Sequence, residues 1–434
     1  MIIYDTRPFV GSLFHWQGTV LPDVIHNMLL VGIGSMVIFA AQVQFSWHLD
    51  VAGIHILGTI VGFLLIFRSS NAFKTYTESA RIITAFTCAT ADVLTAGVCY
   101  LRGAENGDQV VTAKLRETKT MVARLLLGYC VLFKLHSRVA YSGYMLGAID
   151  NDVKVQVDFD MLRLKGLLTE EHYKQVKRAL GLTFDLAHQQ QCGAELVWRV
   201  TQETMPRPAL CLVAALRRCF LSMAGTPAGY AERVLQIADP QLTNLLNIYA
   251  AMVEQVSTPL PLPYCHLCRL LMVMFLLVYA THIDPVMGFV ANVVIPVTVS
   301  LAMLGIDAIA SEIEDPFGDD PNDFELMPVI RRMELEVLMA MQMGVAPEAA
   351  NDFVWVPAPA QYDEVQEFLI HVSNLDRVNE QVMEGIARPA RIDLSAMADF
   401  GCAQPLVSTG WGSARVVPTS PTACPRTSTA QWSA

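Results

Sequence analysis

The sequence has few charged residues, and too few basic ones to suit a nucleic acid. Asp, Glu, Lys and Arg make up 16% of its 434 residues, against about 25% in ordinary soluble domains. The net charge is −11, and no basic stripe with interleaved aromatic residues offsets it, which excludes a nucleic-acid partner. Hydrophobic residues make up 53% of the chain, and the mean hydropathy is +0.38. This composition predicts a membrane protein.

Familiar catalytic and metal-binding motifs are also missing. The chain has no nucleophile elbow, no glycine loop for phosphate and no HExxH, so we predict that it is not an enzyme. Its ten cysteines are irregularly spaced and are predicted to be reduced packing residues. Cys265 and Cys268 form a CxxC, but no second pair completes a zinc site. His48, His55 and His282 fall near predicted loop tips, where packing or hydration explains them.

The first residues, MIIYDTRPF, do not resemble a secretory signal or a transit peptide. Either the protein inserts through its own first membrane helix, or a targeting segment is missing from this chain.

Four apolar segments are long enough, or nearly long enough, to cross a bilayer. They are residues 24–49, 51–67, 270–283 and 285–306. The second and third are short, so we expect the second helix to continue past Arg68 and the third to begin in the Pro-rich residues before it. The segments form two hairpins with tips near Asp50 and Asp284.

The basic residues near these segments predict their orientation. They flank the spans on the side away from the hairpin tips, and the tips have none: Arg7, Arg68, Lys74, Arg81 and Arg269. The positive-inside rule then places both termini and the long middle region on the cytoplasmic side. A plasma membrane and a chloroplast or thylakoid membrane are equally compatible with the sequence.

The middle region and the C-terminal part are predicted to be helical, with almost no sheet. One apolar face contains Leu125, Leu126, Tyr129, Leu132, Phe133 and His136, with Arg124, Lys134 and Arg138 around it. Thr169 is expected to start a helix that Gly181 ends. The predicted divisions are an N-terminal segment (1–23), the first hairpin (24–68), a cytosolic helical region (69–256), the second hairpin (257–308), an acidic loop (309–326), C-terminal helices (327–395, with helices at 327–343 and 362–387) and a disordered tail (396–434).

Residues 311–325, SEIEDPFGDDPNDFE, contain seven carboxylates and no Lys or Arg. Such a cluster beside a membrane helix needs a cation, nearby helix N-termini or a turn that separates the charges. Pro316, Gly318 and Pro321 bend the backbone, so that carbonyls can point inward beside the side chains. An all-oxygen donor set suits a hard cation such as Ca²⁺ better than Zn²⁺. The alternative is a solvated acidic turn that caps the following helices.

The second span has two patterned faces. Gly58 and Gly62 form a GxxxG, which permits close contact with another helix. Ala52, Ile56 and Ile60 recur at intervals of four, followed by Phe63 and Phe67. This apolar face either meets lipid or a neighbouring helix, or forms a ring around a narrow pore that selects by the ease of dehydrating an ion.

Three blocks of this chain together resemble the bestrophin family of anion channels. They are FRSSNAFKTYTESAR (67–81), STPLPLPYCHLCR (257–269) and GIDAIASEIEDPFGDDPNDFE (305–325), and the match covers roughly residues 4–338. The resemblance implies an all-α integral membrane protein with four transmembrane helices per subunit and a large helical cytosolic region. It also implies a homopentamer around a central pore, and it is strongest to photosynthetic and bacterial members.

The resemblance also implies roles for particular residues. Ala52, Ile56 and Ile60 match the pore neck, although animal members have larger or aromatic side chains there. Asp320 and Asp323 match side-chain ligands of a Ca²⁺ clasp between subunits, and Asp319 and Glu312 match positions that contribute backbone oxygens. Pro321 and Asn322 replace two acids of the animal sequence, as in bacterial and plant-like members.

We therefore predict a passive channel for monovalent anions, chloride or also bicarbonate, with Ca²⁺ as a candidate gating ion. Arg68 and Lys74 are predicted to attract anions to the inner mouth, although either could instead pair with Glu78. The expected partners are further copies of the chain, membrane lipid and the permeant anions. The alternatives are a non-conducting, calcium-binding membrane scaffold and a membrane enzyme.

Overall fold

The apolar runs fold as long helices in the computed structural model. It describes residues 18–46, 53–103, 109–145, 151–180, 182–183, 199–200, 207–258, 260–318 and 322–358, and the statements below concern these residues. The α-helices are α1 (Leu21–Phe45), α2 (Ile54–Leu94), α3 (Gln109–Met145), α4 (Asn151–Leu167), α5 (Glu170–Ala179), α6 (Pro208–Met223), α7 (Glu232–Ser257), α8 (Leu262–His282), α9 (Ile295–Glu314), α10 (Leu326–Gln342) and α11 (Ala349–Asp352).

The second apolar segment belongs to a much longer helix. α2 continues well past Arg68, as predicted, and its 41 residues correspond to a length of about 61 Å. That is about twice the hydrocarbon thickness of a bilayer. A π-helical turn, Thr95–Cys99, follows it. α8 begins at Leu262 in the Pro-rich stretch, which confirms that the third segment borrows length from it.

The fourth segment is placed differently from the prediction, which had it begin at 285 and end at 306. Pro285–Met287 is a 3₁₀ turn and Val290–Val294 is a π-helical turn, so α9 begins only at Ile295 and continues to Glu314. Pro296 lies at the start of α9. Because proline has no N–H and clashes with the carbonyl four residues earlier, regular α-helix cannot continue through it.

Five helices in the described part of the chain are long and apolar enough to cross a membrane, but they differ in how much of the chain covers them. In the apolar stretches of α1, α8 and α9, 11%, 22% and 28% of the residues are buried, and in α2 50%. In α3 the share is 78%. Four helices therefore leave apolar surface for lipid or other subunits, whereas α3 is the core of the helical region.

The burial of α3 corrects one prediction. Residues 125–135 of α3 are buried all round, so this stretch has no charged outer face, and Lys134 is 1% exposed. Phe133 stacks on Phe86 of α2 with ring centroids 4.2 Å apart. Tyr129 donates a hydrogen bond of 2.7 Å to the Leu245 carbonyl on α7. α2, α3 and α7 thus share one core beyond the membrane-length part of α2.

Other predictions about the helical region are confirmed where the structure describes it. Sheet is limited to one antiparallel pair of two-residue strands, β1 (Leu182–Thr183) and β2 (Arg199–Val200), and an isolated bridge between Ala224 and Tyr230. Thr169 caps α5 by accepting a hydrogen bond from the His172 N–H, and α10 matches the helix predicted at 327–343. Gly181, the helix predicted at 362–387 and the tail predicted from 396 lie outside the described residues.

Candidate functional site

One face of α2 packs against other helices, and the opposite face is exposed. Ile54, Val61 and Leu65 are at most 3% exposed, because they pack against α8. Along the other face the exposed fractions are large: Ile56 67%, Ile60 46%, Phe63 68% and Phe67 49%. The described part of the chain leaves this continuous apolar stripe, which we call the α2 stripe, open to a partner, to lipid or to a pore.

The same face becomes polar further along the helix. Ser70, Lys74, Thr77 and Arg81 continue the spacing of three and four residues, and all are exposed. Lys74 lies five helical turns, about 27 Å, after Ile56 and therefore points in the same direction. Among the described residues we find no partner for the Lys74 ammonium group, whereas Arg81 pairs with Glu78 at 3.1 Å. The α2 stripe thus leads toward an unpaired positive charge.

Only one glycine of the GxxxG in α2 lies at a close contact with another helix. A Cβ on Gly58 would lie 2.8 Å from the ring of Phe275 on α8, whereas nothing lies within 4 Å of a Cβ on Gly62. Gly58 therefore permits the close approach of α2 and α8. This contact helps to fix which face of α2 is covered and which stays open.

Arg68 lies in a buried ion-pair cluster at the end of the apolar part of α2. Its side chain is 3% exposed and donates to the Asp307 carboxylate on α9. It also donates to Ser311 Oγ at 2.8 Å and lies 3.6 Å from Glu314. Arg269 of α8 approaches Asp307 and Ser311 from the other side, at 3.2 and 3.1 Å. This Arg68–Asp307 cluster holds α2, α8 and α9 together.

The cluster distinguishes the two residues that are predicted to attract anions, Arg68 and Lys74, by whether their charge is balanced within the chain. Arg68 does not pair with Glu78, so that alternative from the sequence is wrong, and its charge is balanced inside the chain. Lys74 is exposed. The sequence marks the charges of this cluster but not their pairing: Arg68 and Asp307 each directly follow an uncharged apolar run, and Arg269 directly precedes one.

The acidic loop is tightly folded around Gly318. A Cβ on Gly318 would lie 2.5 Å from Asp323 Oδ2 and 2.8 Å from Asp315 Oδ2, so both carboxylates approach the same spot. Asp323 is 4% exposed. Arg138 of α3 donates to the Gly318 carbonyl and brings a positive charge to the loop. Part of the predicted charge repulsion is thus relieved from within the chain.

Asn322 ties the loop to the start of α1. Its side-chain amide donates to Glu312 Oε1 at 2.6 Å and to the Gly18 carbonyl at 2.9 Å. Tyr76 of α2 stacks on Phe324 with ring centroids 4.6 Å apart. The Glu312 side chain is therefore engaged by Asn322, which is compatible with its predicted contribution of a backbone oxygen to a cation.

The described part of the loop fits a hard cation only in part. Its donors are all oxygens, but no three His, Cys, Asp or Glu residues that the structure describes are placed to hold a metal ion. Asp319 and Asp320, and likewise Ala52 of the predicted neck, lie outside the described residues. The calcium site therefore stays a prediction, and so does the neck as a whole.

Comparison with known proteins gives a consistent result. The family model described as "Bacterial/Fungal Bestrophin protein" matches residues 1–339. A voltage-dependent anion channel-forming protein of Nostoc sp. is 23% identical over 326 residues, which are 75% of this chain and 89% of that protein. The protein of the same description from Salmonella typhi is 20% identical over 343 residues, 78% of this chain and 93% of that protein.

Solved structures show the same fold. A crystal structure of a bacterial bestrophin homolog from Klebsiella pneumoniae has a TM-score of 0.56 at 17% identity and covers 74% of this chain and 99% of that one. Together with the exposed apolar helices, this makes the chain an all-α, multi-pass membrane protein. Because the family model spans most of its length, the chain belongs to the bacterial/fungal bestrophin family.

Proposed function

We propose that this chain is the subunit of a passive anion channel in which the α2 stripe lines the pore. The observation that carries the proposal is the uncovered face of α2, which is apolar from Ile56 to Phe67 and then reaches Lys74. The family relatives named as voltage-dependent anion channel-forming proteins support it.

The chemistry of the stripe favours weakly hydrated anions. A ring of isoleucine and phenylalanine side chains offers no hydrogen bonds to replace lost water, so an ion passes more easily when it is cheap to dehydrate. Lys74 beyond the ring would raise the local concentration of anions and lower that of cations. We therefore assign chloride, or bicarbonate, as the permeant class.

A pore built this way needs several copies of the chain. A single α2 presents one stripe, and closed ring symmetry turns identical stripes into a lining. We propose the homopentamer that the family resemblance implies. The parts of α2 and α8 that carry Arg68, Lys74, Arg81 and Arg269 would lie on the cytoplasmic side, as would both termini, because the positive-inside rule favours that orientation.

We further propose that Ca²⁺ binds the acidic loop through Asp320 and Asp323, with backbone oxygens at Asp319 and Glu312. The support is the oxygen-only donor set and the convergence of Asp315 and Asp323 on Gly318. The ion would supply positive charge that Arg138 provides only in part. Gating by Ca²⁺ would follow if the clasp joins neighbouring subunits.

The test is current through purified protein in planar bilayers, with Ile60→Ala beside Ile66→Ala. Both isoleucines are exposed on α2, at 46% and 68%, but Ile66 lies about 80° away from the stripe. Ile60→Ala should raise conductance and let strongly hydrated anions pass more readily, whereas Ile66→Ala should leave both unchanged. Equal effects of the two variants would place the pore elsewhere, and a wild type without current would favour the calcium-binding scaffold.

The same bilayers test calcium. Current measured with Ca²⁺ present and with Ca²⁺ chelated should differ in the wild type and not in a chain carrying Asp320→Asn and Asp323→Asn. No difference in the wild type would make the loop a structural turn while leaving the channel proposal intact.

A further inference from the structure

Two histidines meet at the ends of α2 and α8 that lie away from the Arg68–Asp307 cluster. His55 is in the first turn of α2, and His282 is the last residue of α8. Their ring centroids are 6.2 Å apart, and the ring planes are almost perpendicular at 89°. His55 is exposed and His282 is half-buried.

The packing of the two helices fixes this approach. α2 and α8 run antiparallel and touch at three levels. Tyr264 donates to the Leu64 carbonyl at 3.2 Å, and Phe275 packs at Gly58. The histidines form the third level. Each lies thirteen residues, about 20 Å, from the arginine of its own helix that binds Asp307. The pair is thus held by two packed helices and not by a loop.

The geometry suits a shared metal ion. Imidazole nitrogen is a ligand for borderline ions such as Zn²⁺, Ni²⁺ and Cu²⁺. With metal–nitrogen distances of about 2.0–2.1 Å, two imidazoles on one tetrahedral ion have ring centres about 5 Å apart. The observed separation is about 1 Å longer, which side-chain rotation can close.

We propose that His55 and His282 bind one borderline transition-metal ion per chain and so link the tip ends of α2 and α8. The described ranges contain no group of three His, Cys, Asp or Glu residues that could hold a metal ion, so the proposed site has two protein ligands among the described residues. The site differs in ion class from the acidic loop, whose oxygens suit hard cations. It also does not depend on whether the chain conducts.

Edge-to-face packing of two aromatic rings would give a similar arrangement without a metal. The two explanations differ in what removal of one ring does to metal affinity. A shared ion needs both imidazoles, so removing either ring should abolish metal binding. If the rings only pack against each other, no metal binds and removing a ring changes no metal affinity.

The experiment is Ni²⁺ titration by calorimetry of the full chain in lipid nanodiscs, for the wild type, His55→Gln, His282→Gln and the double variant. His26→Gln is the control, because His26 is an exposed histidine on α1. The wild type and the control should each bind one Ni²⁺ ion per chain. Either single variant should abolish this binding event as fully as the double variant does. Retention of the event in the double variant, its loss in the control, or its absence in the wild type would overturn the proposal.

A second measurement uses the unaltered protein, so that it does not depend on the folding of a variant. Zn²⁺ should protect His55 and His282, but not His26, from modification by diethyl pyrocarbonate, as read by peptide mass spectrometry. Equal modification of all three histidines with and without Zn²⁺ would contradict a shared ion.

Discussion

At the scale of single residues, the charged side chains inside the membrane-length helices show most clearly how those helices are joined. A carboxylate in an apolar helix is costly unless cations and hydrogen bonds compensate it. Asp307 is 7% exposed and forms ion pairs with both Arg68 and Arg269. The sequence showed Arg68 as a charge at a helix exit, but its partner lies 239 residues away, a pairing that no local pattern reveals.

We predict that Asp307→Asn destabilises the folded chain by about 3–5 kcal/mol, because it leaves the buried guanidinium group of Arg68 with only the more distant carboxylate of Glu314. The measurement is the thermal unfolding midpoint in detergent or nanodiscs. Glu314→Gln is the control, since Glu314 is 3.6 Å from Arg68 and its side chain is 21% exposed. A loss as large for Glu314→Gln would mean that Asp307 is not the centre of the cluster.

At the scale of the helices, their existence was predictable and their ends were not. Uninterrupted apolar runs made the four membrane-length helices evident, and the α2 stripe follows from a spacing of three and four residues. The start of α9 differs from the prediction because Pro296 prevents a regular α-helix in the residues before it, although the run itself is apolar from 285 onward. The sequence predicts one apolar face on α3 with Lys134 among the charges around it, because a buried lysine looks like a surface lysine until its partner Asp160 is known.

The contact of α2 with α8 gives a prediction at this scale. Gly58→Val should destabilise the folded chain by about 1–3 kcal/mol, because the new side chain overlaps the ring of buried Phe275. Gly62→Val changes helix propensity in the same way, but its new side chain extends into open space. The difference in stability between the two variants therefore measures the cost of the overlap with Phe275. Thermal midpoints of the two variants in nanodiscs are the readout. If Gly62→Val is as destabilising as Gly58→Val, the close approach at Gly58 is not what holds the helices.

At the scale of the whole chain, a second cluster of buried charges joins distant parts of the helical region. Lys134 on α3 pairs with Asp160 on α4 at 2.6 Å. Arg163 of α4 pairs with Glu334 on α10. Arg163 also donates to the Val356 carbonyl at 3.1 Å, and Glu334 accepts from the Ala358 N–H at 2.9 Å. The cluster thus clamps residues 353–358 onto the helices. Only its Asp160–Arg163 pair, three residues apart on α4, is visible in the local sequence.

We predict that Arg163→Met destabilises the chain by about 3–5 kcal/mol near neutral pH, since it leaves Glu334 charged and unpaired in a buried position. Burial raises the pKa of Glu334, while Arg163 counters that rise. Without Arg163 the pKa rises further, so the folded state binds a proton more readily than the unfolded state. The stability of the variant should therefore recover as the pH falls through that raised pKa toward the ordinary glutamate value of 4.5.

The measurement is the difference in thermal midpoint between the wild type and Arg163→Met from neutral pH to about pH 5. Arg217→Met is the matched control. It breaks the more exposed Arg217–Asp239 pair, at 2.8 Å, and should cost about 1 kcal/mol or less with little dependence on pH. A pH-independent gap for Arg163→Met would show that the packing of the arginine, and not the charge of Glu334, explains the loss. The carboxylate of Glu334 would then already be solvated, and the clamp on residues 353–358 would rest on their apolar side chains.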